Sequence, residues 1–400
     1  MLMLLMALVP VIQDPTPRDL AALLREAPTM QKHAALLADA AAHRLQVLVA
    51  EPVVAADGRL GLRRSRLGDP KQYFYPASAI KLAGAVAVLQ ELNRRNAQDG
   101  TAHGLDSEWT IGTAFEGDVV FDRDPSNVDG ARATIRHDLR KLLLVSDNSA
   151  YNHCLELVGQ DGVNASMRRA GLASTQLWHR LSEARTRDEN ARTRPVEVRT
   201  GEQMTRWLAR AAAAALDNGA WRQLQIGDGY MQGGKKVDGP MSFADKNAIA
   251  LDDLQDLLVM LVRPEIDVPG KRGFPELTID QRRFLVQTLG ELPRESTNPR
   301  YDAAQTPDHA CKFVLRGVRR VVPPEALRIY DKIGRAYGFS VENAYVEDTR
   351  TGRGFFLAIV LYTNPDGILN DDRYAYEELA DPFLDDLGEV IARTVFATDR

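Results

Sequence analysis

Ser78 and Lys81 stand three residues apart at the head of an almost unbroken run of helix formers, SAIKLAGAVAVLQELN. On one helical turn that spacing puts both side chains on the same face, so the amine can accept the hydroxyl proton and create a nucleophile. A helix N-terminus adds a favourable field and free N–H groups where an oxyanion would form. Four-residue S-x-x-K matches arise readily by chance, so the pair needs company. Ser146-Asp147-Asn148 follows a leucine-rich helical stretch and precedes another helix. A hydroxyl and an amide on a short turn can relay a proton to a leaving nitrogen and hold a substrate carbonyl. The competing reading is an N-cap cluster, since all three residues cap helices well. Lys332-Ile333-Gly334, followed by Arg335, falls on a candidate strand. There a lysine can meet a substrate carboxylate while the backbone pairs with an extended amide.

These groups need elements to hold them. RLQVLVAEPVV and LGLRRSRLG read as two strands joined by a turn at Asp57-Gly58. RIYDKIG, ENAYVEDT and RGFFLAIVLYTN read as late strands, with a terminal helix over about 374–397. Helical spacing begins the chain in PRDLAALLREAPTMQKHAALLADAAAH. It returns at TIRHDLRKLLLVS, NSAYNHCLELVG, VNASMRRAGL, EQMTRWLARAAAAALDN, LDDLQDLLVMLV and IDQRRFLVQTLG, with the alanine run 211–215 read as ordinary helix. Because a lone hairpin is marginally stable, the early and late strands are expected to share one sheet. The fold class is therefore α/β in the α+β sense. An antiparallel sheet is flanked by N- and C-terminal helices, with an all-helical lobe inserted at about 76–326. Residues 17–400 are read as a single catalytic domain, and 227–324 as an elaboration of the lobe.

Composition narrows the function. Of 400 residues, 44% are hydrophobic and 26% charged, enough for a sizeable core. Fifty basic and 55 acidic residues are mixed along the chain, so nucleic acid is not an expected partner. The runs Arg63-Arg64, Lys235-Lys236 and Arg319-Arg320 read as solvated surface. MLMLLMALVPVIQ, residues 1–13, is too short to span a membrane and looks like part of a signal peptide, so an exported, periplasmic or extracellular protein is expected. Cys154 and Cys311 have no C-x-x-C spacing and are expected to be buried free thiols. The seven histidines lack ligand spacing, so no metal or other cofactor is expected, and His153 and His179 are read as structural or surface residues.

Taken in order, S-x-x-K, S-D-N and K-x-G on these elements resemble the set found in class A beta-lactamases and penicillin-binding proteins. The resemblance implies a beta-lactamase-like fold and a serine hydrolase acting through an acyl-enzyme on a small-molecule beta-lactam or a cell-wall peptide. It makes Ser78 the nucleophile and Lys81 its proton acceptor. Ser146 becomes the donor toward the leaving nitrogen, Asn148 the ligand of the substrate amide carbonyl, and Lys332 a source of positive charge. Gly334 completes the third motif, and the N–H groups of Ser78 and Arg335 form the oxyanion hole. A D,D-peptidase, transpeptidase or esterase would use the same pair, and a noncatalytic peptide-binding module is the alternative of another class.

The chain departs from the family pattern twice. Ile333 replaces the usual Thr or Ser, whose hydroxyl binds a substrate carboxylate, leaving Arg335 or Tyr337 as substitutes. The E-x-x-L-N deacylation motif is missing from LWHRLSEARTRDENARTRP. Glu183 falls nearest the expected glutamate, shifted by one residue, and is the candidate base. Without a base the acyl-enzyme would be long-lived, as in penicillin-binding proteins.

Overall fold

The computed structural model describes residues 16–55, 57–214 and 217–396; the apolar segment 1–13 lies outside them. From the N-terminus, α1 (Leu20–Glu26) and α2 (Ala34–Ala38) lead into the hairpin β1 (Gln46–Val54) and β2 (Leu60–Leu67). Gly58 turns this hairpin at φ 81°, in the left-handed region that favours glycine. A 3₁₀ turn, Ala77–Ile80, opens α3 (Lys81–Asp99), which precedes β3 (Glu108–Ile111), α4 (Ile135–Leu144), α5 (Asn148–Ala170) and α6 (Arg187–Asn190). Short strands follow: β4 (Val196–Thr200), β5 (Gln203–Trp207), β6 (Gln225–Ile226), β7 (Gly229–Gln232), β8 (Lys235–Asp238) and β9 (Met241–Ser242). Then come α7 (Leu251–Val262), α8 (Ile279–Gly290), α9 (Asp308–Cys311) and α10 (Leu315–Val318). The chain closes with β10 (Leu327–Asp331), β11 (Gly334–Ala336), β12 (Phe339–Asp348), β13 (Arg353–Tyr362), β14 (Ile368–Leu369) and α11 (Asp381–Phe396).

The main sheet runs β10-β12-β13-β1-β2 in antiparallel register, with β11 also on β12. Strands from the two ends of the sequence thus share one sheet. Alternation fixes its two faces. Val47 and Val49 of β1, with Phe355, Leu357 and Ile359 of β13, pack under α1 and α11. Leu48, Ala50, Phe356, Ala358 and Val360 point the other way, into a larger core built around α3. α3 is buried from Lys81 through Gln90, so its N-terminus is anchored in the centre of the molecule.

The inserted region is mainly helical but carries short strands that the helical patterning does not show. The helix expected at 202–218 is replaced by β5, and 208–214 has no helical turn. The reason is tertiary. β5 pairs with β4 through a two-residue turn at Gly201, φ 58°. Trp207 is buried and donates to Glu91 at 3.0 Å, while Thr205 shares a 2.9 Å bond with His103. This ladder and burial outweigh the alanine propensity. The two helical stretches read at 148–159 and 163–172 follow one another in α5, which is broken by a kink at Gly159, φ 72°. Arg63 is a second correction: it is buried and paired with Glu51 at 2.9 Å rather than solvated. Cys154 is a buried free thiol as expected, whereas Cys311 is only half-buried.

Candidate active site

The turn Ala77–Ile80 presents Ser78 half-buried on the wall of a cleft of about 800 Å³. Among the described residues its hydroxyl has no hydrogen-bond partner. Ala77, just before it, sits at φ 47°. Ser146, Ser182 and Tyr337 are also left-handed, at φ 63°, 52° and 54°. Ala77, Ser182 and Tyr337 line the cleft and Ser146 stands behind it, and such strained non-glycine residues indicate a site held in shape by its surroundings.

Lys81 begins α3 one turn beyond Ser78 and is fully buried. Its Nζ donates to the carbonyl oxygen of Ser146 and to Asn148 Oδ1 at 2.6 Å, with Ser146 Oγ at 3.3 Å. Burial holds its amine well below the usual lysine range, the Lys332 charge adds to this, and Asp147 opposes it. Lys332, also buried, donates to Ser146 Oγ at 2.8 Å. Burial lowers its amine to about 8 against the pull of Asp331. Two lysines from opposite elements therefore converge on one serine hydroxyl.

The S-D-N turn divides its residues between a helix cap and the lysine pair. Asp147 is the N-cap of α5, accepting from Ala150 N at 2.8 Å. Ser146 and Asn148 face the lysines. Asn148 also donates from Nδ2 to Ser182 Oγ at 2.8 Å, which leaves one N–H of its amide for a ligand. Ser182 was not singled out in the sequence, where no motif marks it.

β11 lies at the open edge of the sheet, paired only with β12. Gly334 packs against the turn bearing Ser78. A Cβ there would lie 2.5 Å from Pro76 O and 2.9 Å from Ser78 N. This contact sets the backbone of β11 against the turn that carries the Ser78 N–H. The Arg335 side chain is committed elsewhere: it pairs with Asp381 and lies over the rings of Phe313 and Tyr376, at 4.3 and 4.6 Å. It is not a free reader of a substrate carboxylate. Ile333 packs with the core beneath α11, away from the cleft.

Glu183 lines the cleft but does not reach Lys81. Its Oε1 is held by Arg185 at 2.7 Å and by Arg194, while Oε2 has only Asn152, at 3.4 Å. His179, read as structural or surface, also lines the cleft, stacked on Tyr75 with ring centroids 6.1 Å apart. Burial and then the Lys246 charge lower its imidazole to about 4. His153 is structural, paired with Asp138 at 2.8 Å. Among the described residues no cluster of His, Cys, Asp and Glu is placed to hold a metal ion, and no helix is long and apolar enough to cross a membrane.

The Beta-lactamase enzyme family matches residues 64–224, which include the first two motifs. Among solved structures, a beta-lactamase from Burkholderia ambifaria aligns at 18% identity and TM-score 0.50, covering 92% of this chain and 99% of that one. Beta-lactamases from Desulfarculus baarsii (17% identity, TM-score 0.49, 92% and 96% covered) and Sphaerobacter thermophilus (14%, 0.49, 92% and 98%) are also similar. At these identities the likeness is one of fold. No curated protein matches the chain. The family match is confined to residues 64–224, and the structural likeness extends a beta-lactamase-like fold over most of the chain.

Proposed function

We propose that this protein is a serine hydrolase of the class A beta-lactamase type that opens a beta-lactam or related amide through an acyl-enzyme on Ser78. The observation that carries the reading is the convergence of Lys81 and Lys332 on Ser146 beside the unpartnered hydroxyl of Ser78. Lys81, depressed by burial, takes the proton as Ser78 Oγ attacks the carbonyl carbon. The N–H groups of Ser78 and Arg335 hold the oxyanion. Ser146, backed by the Lys332 charge, passes a proton to the leaving nitrogen as the C–N bond breaks. Asn148 offers its remaining N–H to the amide carbonyl of the substrate. Water then releases the acyl group, with Glu183 Oε2, which lines the cleft, as the candidate base. Export is part of the same proposal, supported by the apolar opening of the sequence.

Intact-mass measurement of the purified protein with benzylpenicillin tests the reading. A transient adduct on Ser78 with ring-opened product is expected. No adduct, and no effect of Ser78→Ala with any acyl donor, would leave only a noncatalytic binding module. Glu183→Gln is expected to lengthen the adduct lifetime about 100-fold, as for loss of a general base. The second reading is a penicillin-binding D,D-peptidase or transpeptidase, favoured by the two arginines on Glu183 Oε1. It predicts a persistent adduct whose lifetime ignores Glu183→Gln.

The acylation rate should also have an alkaline limb near pH 8, where Lys332 loses its proton and Ser146 its positive backing. Guanidinium does not deprotonate in this range. Lys332→Arg should therefore abolish the limb while retaining activity, as read from stopped-flow acylation between pH 6 and 10. An unchanged limb would remove Lys332 from the proton path.

A further inference from the structure

We propose that Lys246, Tyr337, Tyr75 and His179 form a specificity subsite for an acyl side chain bearing both a ring and a carboxylate; this rests on the acyl-transfer reading above. The cleft is lined by several cations, and all but one are matched. Arg180 pairs with Glu156 at 2.7 Å, Arg185 with Asp118 and Glu183, Arg187 with Asp245 at 3.4 Å, and Arg335 with Asp381. Lys246, half-buried in the same wall, has no carboxylate within pairing distance among the described residues. A half-desolvated cation facing a cleft without a partner favours an anion there.

The wall around it is built. Asn218 donates to the carbonyls of Phe243 and Lys246, at 3.1 and 2.7 Å. Asn247, fully buried, accepts from Trp178 N and His179 N at 2.6 and 3.1 Å, and its own carbonyl takes the Tyr73 hydroxyl at 2.8 Å. Lys246 is thereby locked beside His179, and its Nζ lies 5.6 Å over the Tyr337 ring. Tyr337 meets Tyr75 edge-on at 5.1 Å, and Tyr75 stacks on His179. These rings offer faces and edges to a planar group.

The imidazole completes the recognition. His179 Nδ1 faces Arg180 O at 2.6 Å and so carries the proton, which leaves Nε2 a buried acceptor without a partner. A side-chain amide N–H of the substrate satisfies it. The subsite adjoins the chemistry, because Tyr75 lies three residues before Ser78 and Tyr337 two after Arg335. The segment 241–247 of the elaboration thus shapes the cleft.

Benzylpenicillin and α-carboxybenzylpenicillin differ by one side-chain carboxylate and make a matched pair of probes. The full-length protein is expected to acylate about tenfold faster, in second-order rate constant, with the carboxylated probe, the equivalent of about 1.4 kcal/mol. Lys246→Met should abolish this preference and leave benzylpenicillin within twofold, while Lys246→Arg retains it. The preference should shrink as salt is raised. Equal losses on both probes in Lys246→Met, or no preference in the unmodified protein, would overturn the subsite. If neither probe acylates Ser78, the acyl-transfer reading fails, and binding of the same pair by quenching of Trp178, which lines the cleft, decides the subsite. Tighter binding of the carboxylated probe that disappears in Lys246→Met upholds it; equal binding overturns it.

Discussion

Lys81→Met is expected to slow acylation of Ser78 by a penicillin about 1,000-fold, the middle of the range for removing a positioned general base. Methionine matches the length of the lysine stem and fills the same buried space at the head of α3. The side chain lost is fully buried, and its amine sits among Ser146 and Asn148 acceptors with no carboxylate bonded to it. Removing such a charge relieves a desolvation cost. The thermal midpoint is therefore expected to hold or rise at neutral pH while acylation collapses.

The sign can be followed with pH. The folded-state value of Lys81 lies below the ordinary 10.5, so between the two the unfolded chain binds the extra proton. Stability of the unmodified protein rises with pH across that window, and the methionine variant lacks this contribution. Its stability advantage should narrow as pH approaches 10.5. Calorimetry from pH 6 to 10 beside intact-mass acylation rates separates a lost base from a damaged fold. Acylation within tenfold of normal would transfer the proton-accepting role to another group.

The sheet was legible because its strands carry their pattern openly. β1 and β13 are long, apolar and β-branched, and both faces of the sheet are covered, so no polar alternation was needed to find them. α7 and α8 begin and end where their apolar spacing begins and ends. β4 and β5 were missed, although VEVRT and QMTRW flank a Gly-x pair suited to a tight turn. The alanines after them drew the reading toward helix, and only Trp207 on Glu91 and the β4 ladder reveal the competing structure.

Within the site, legibility followed the motifs. Ser78, Lys81, Ser146, Asn148 and Lys332 each belong to a short pattern within or directly beside a regular element, which is what made them legible. Glu183 lines the cleft as expected, but its two arginine partners lie 2 and 11 residues away and no spacing announces them. The side chain of Arg335, offered as a substitute carboxylate reader, is instead paired with Asp381, which is remote in sequence. Lys246 and His179 come from irregular chain, where position depends on buried asparagines rather than periodicity.

Gly334→Ala is expected to lower the second-order acylation constant by 100-fold or more, about the effect of losing one oxyanion donor. The strand β11 and the turn Ala77–Ile80 touch backbone to backbone at this residue. An added methyl would stand 2.5 Å from Pro76 O, 2.7 Å from Ala79 N and 2.9 Å from Ser78 N. None of these atoms is the end of a flexible side chain, so the strand or the turn must move. Ala77 is already left-handed at φ 47°, which leaves the turn little freedom to yield. The cheaper response is for β11 to slide outward along its free edge, since β12 holds it on one side only. That motion widens the gap between the N–H groups of Ser78 and Arg335, and the oxyanion falls out of reach of one of them. Overpacking of this kind costs about 1–3 kcal/mol. The other five strands of the main sheet keep their pairing, so the variant should still fold with a lowered melting temperature. Lys81 and Ser146 keep their places, and the pH profile of the residual activity should match that of the unmodified protein. A variant that loses activity and also shifts its pH limb would instead show that the lysine network had moved with the strand.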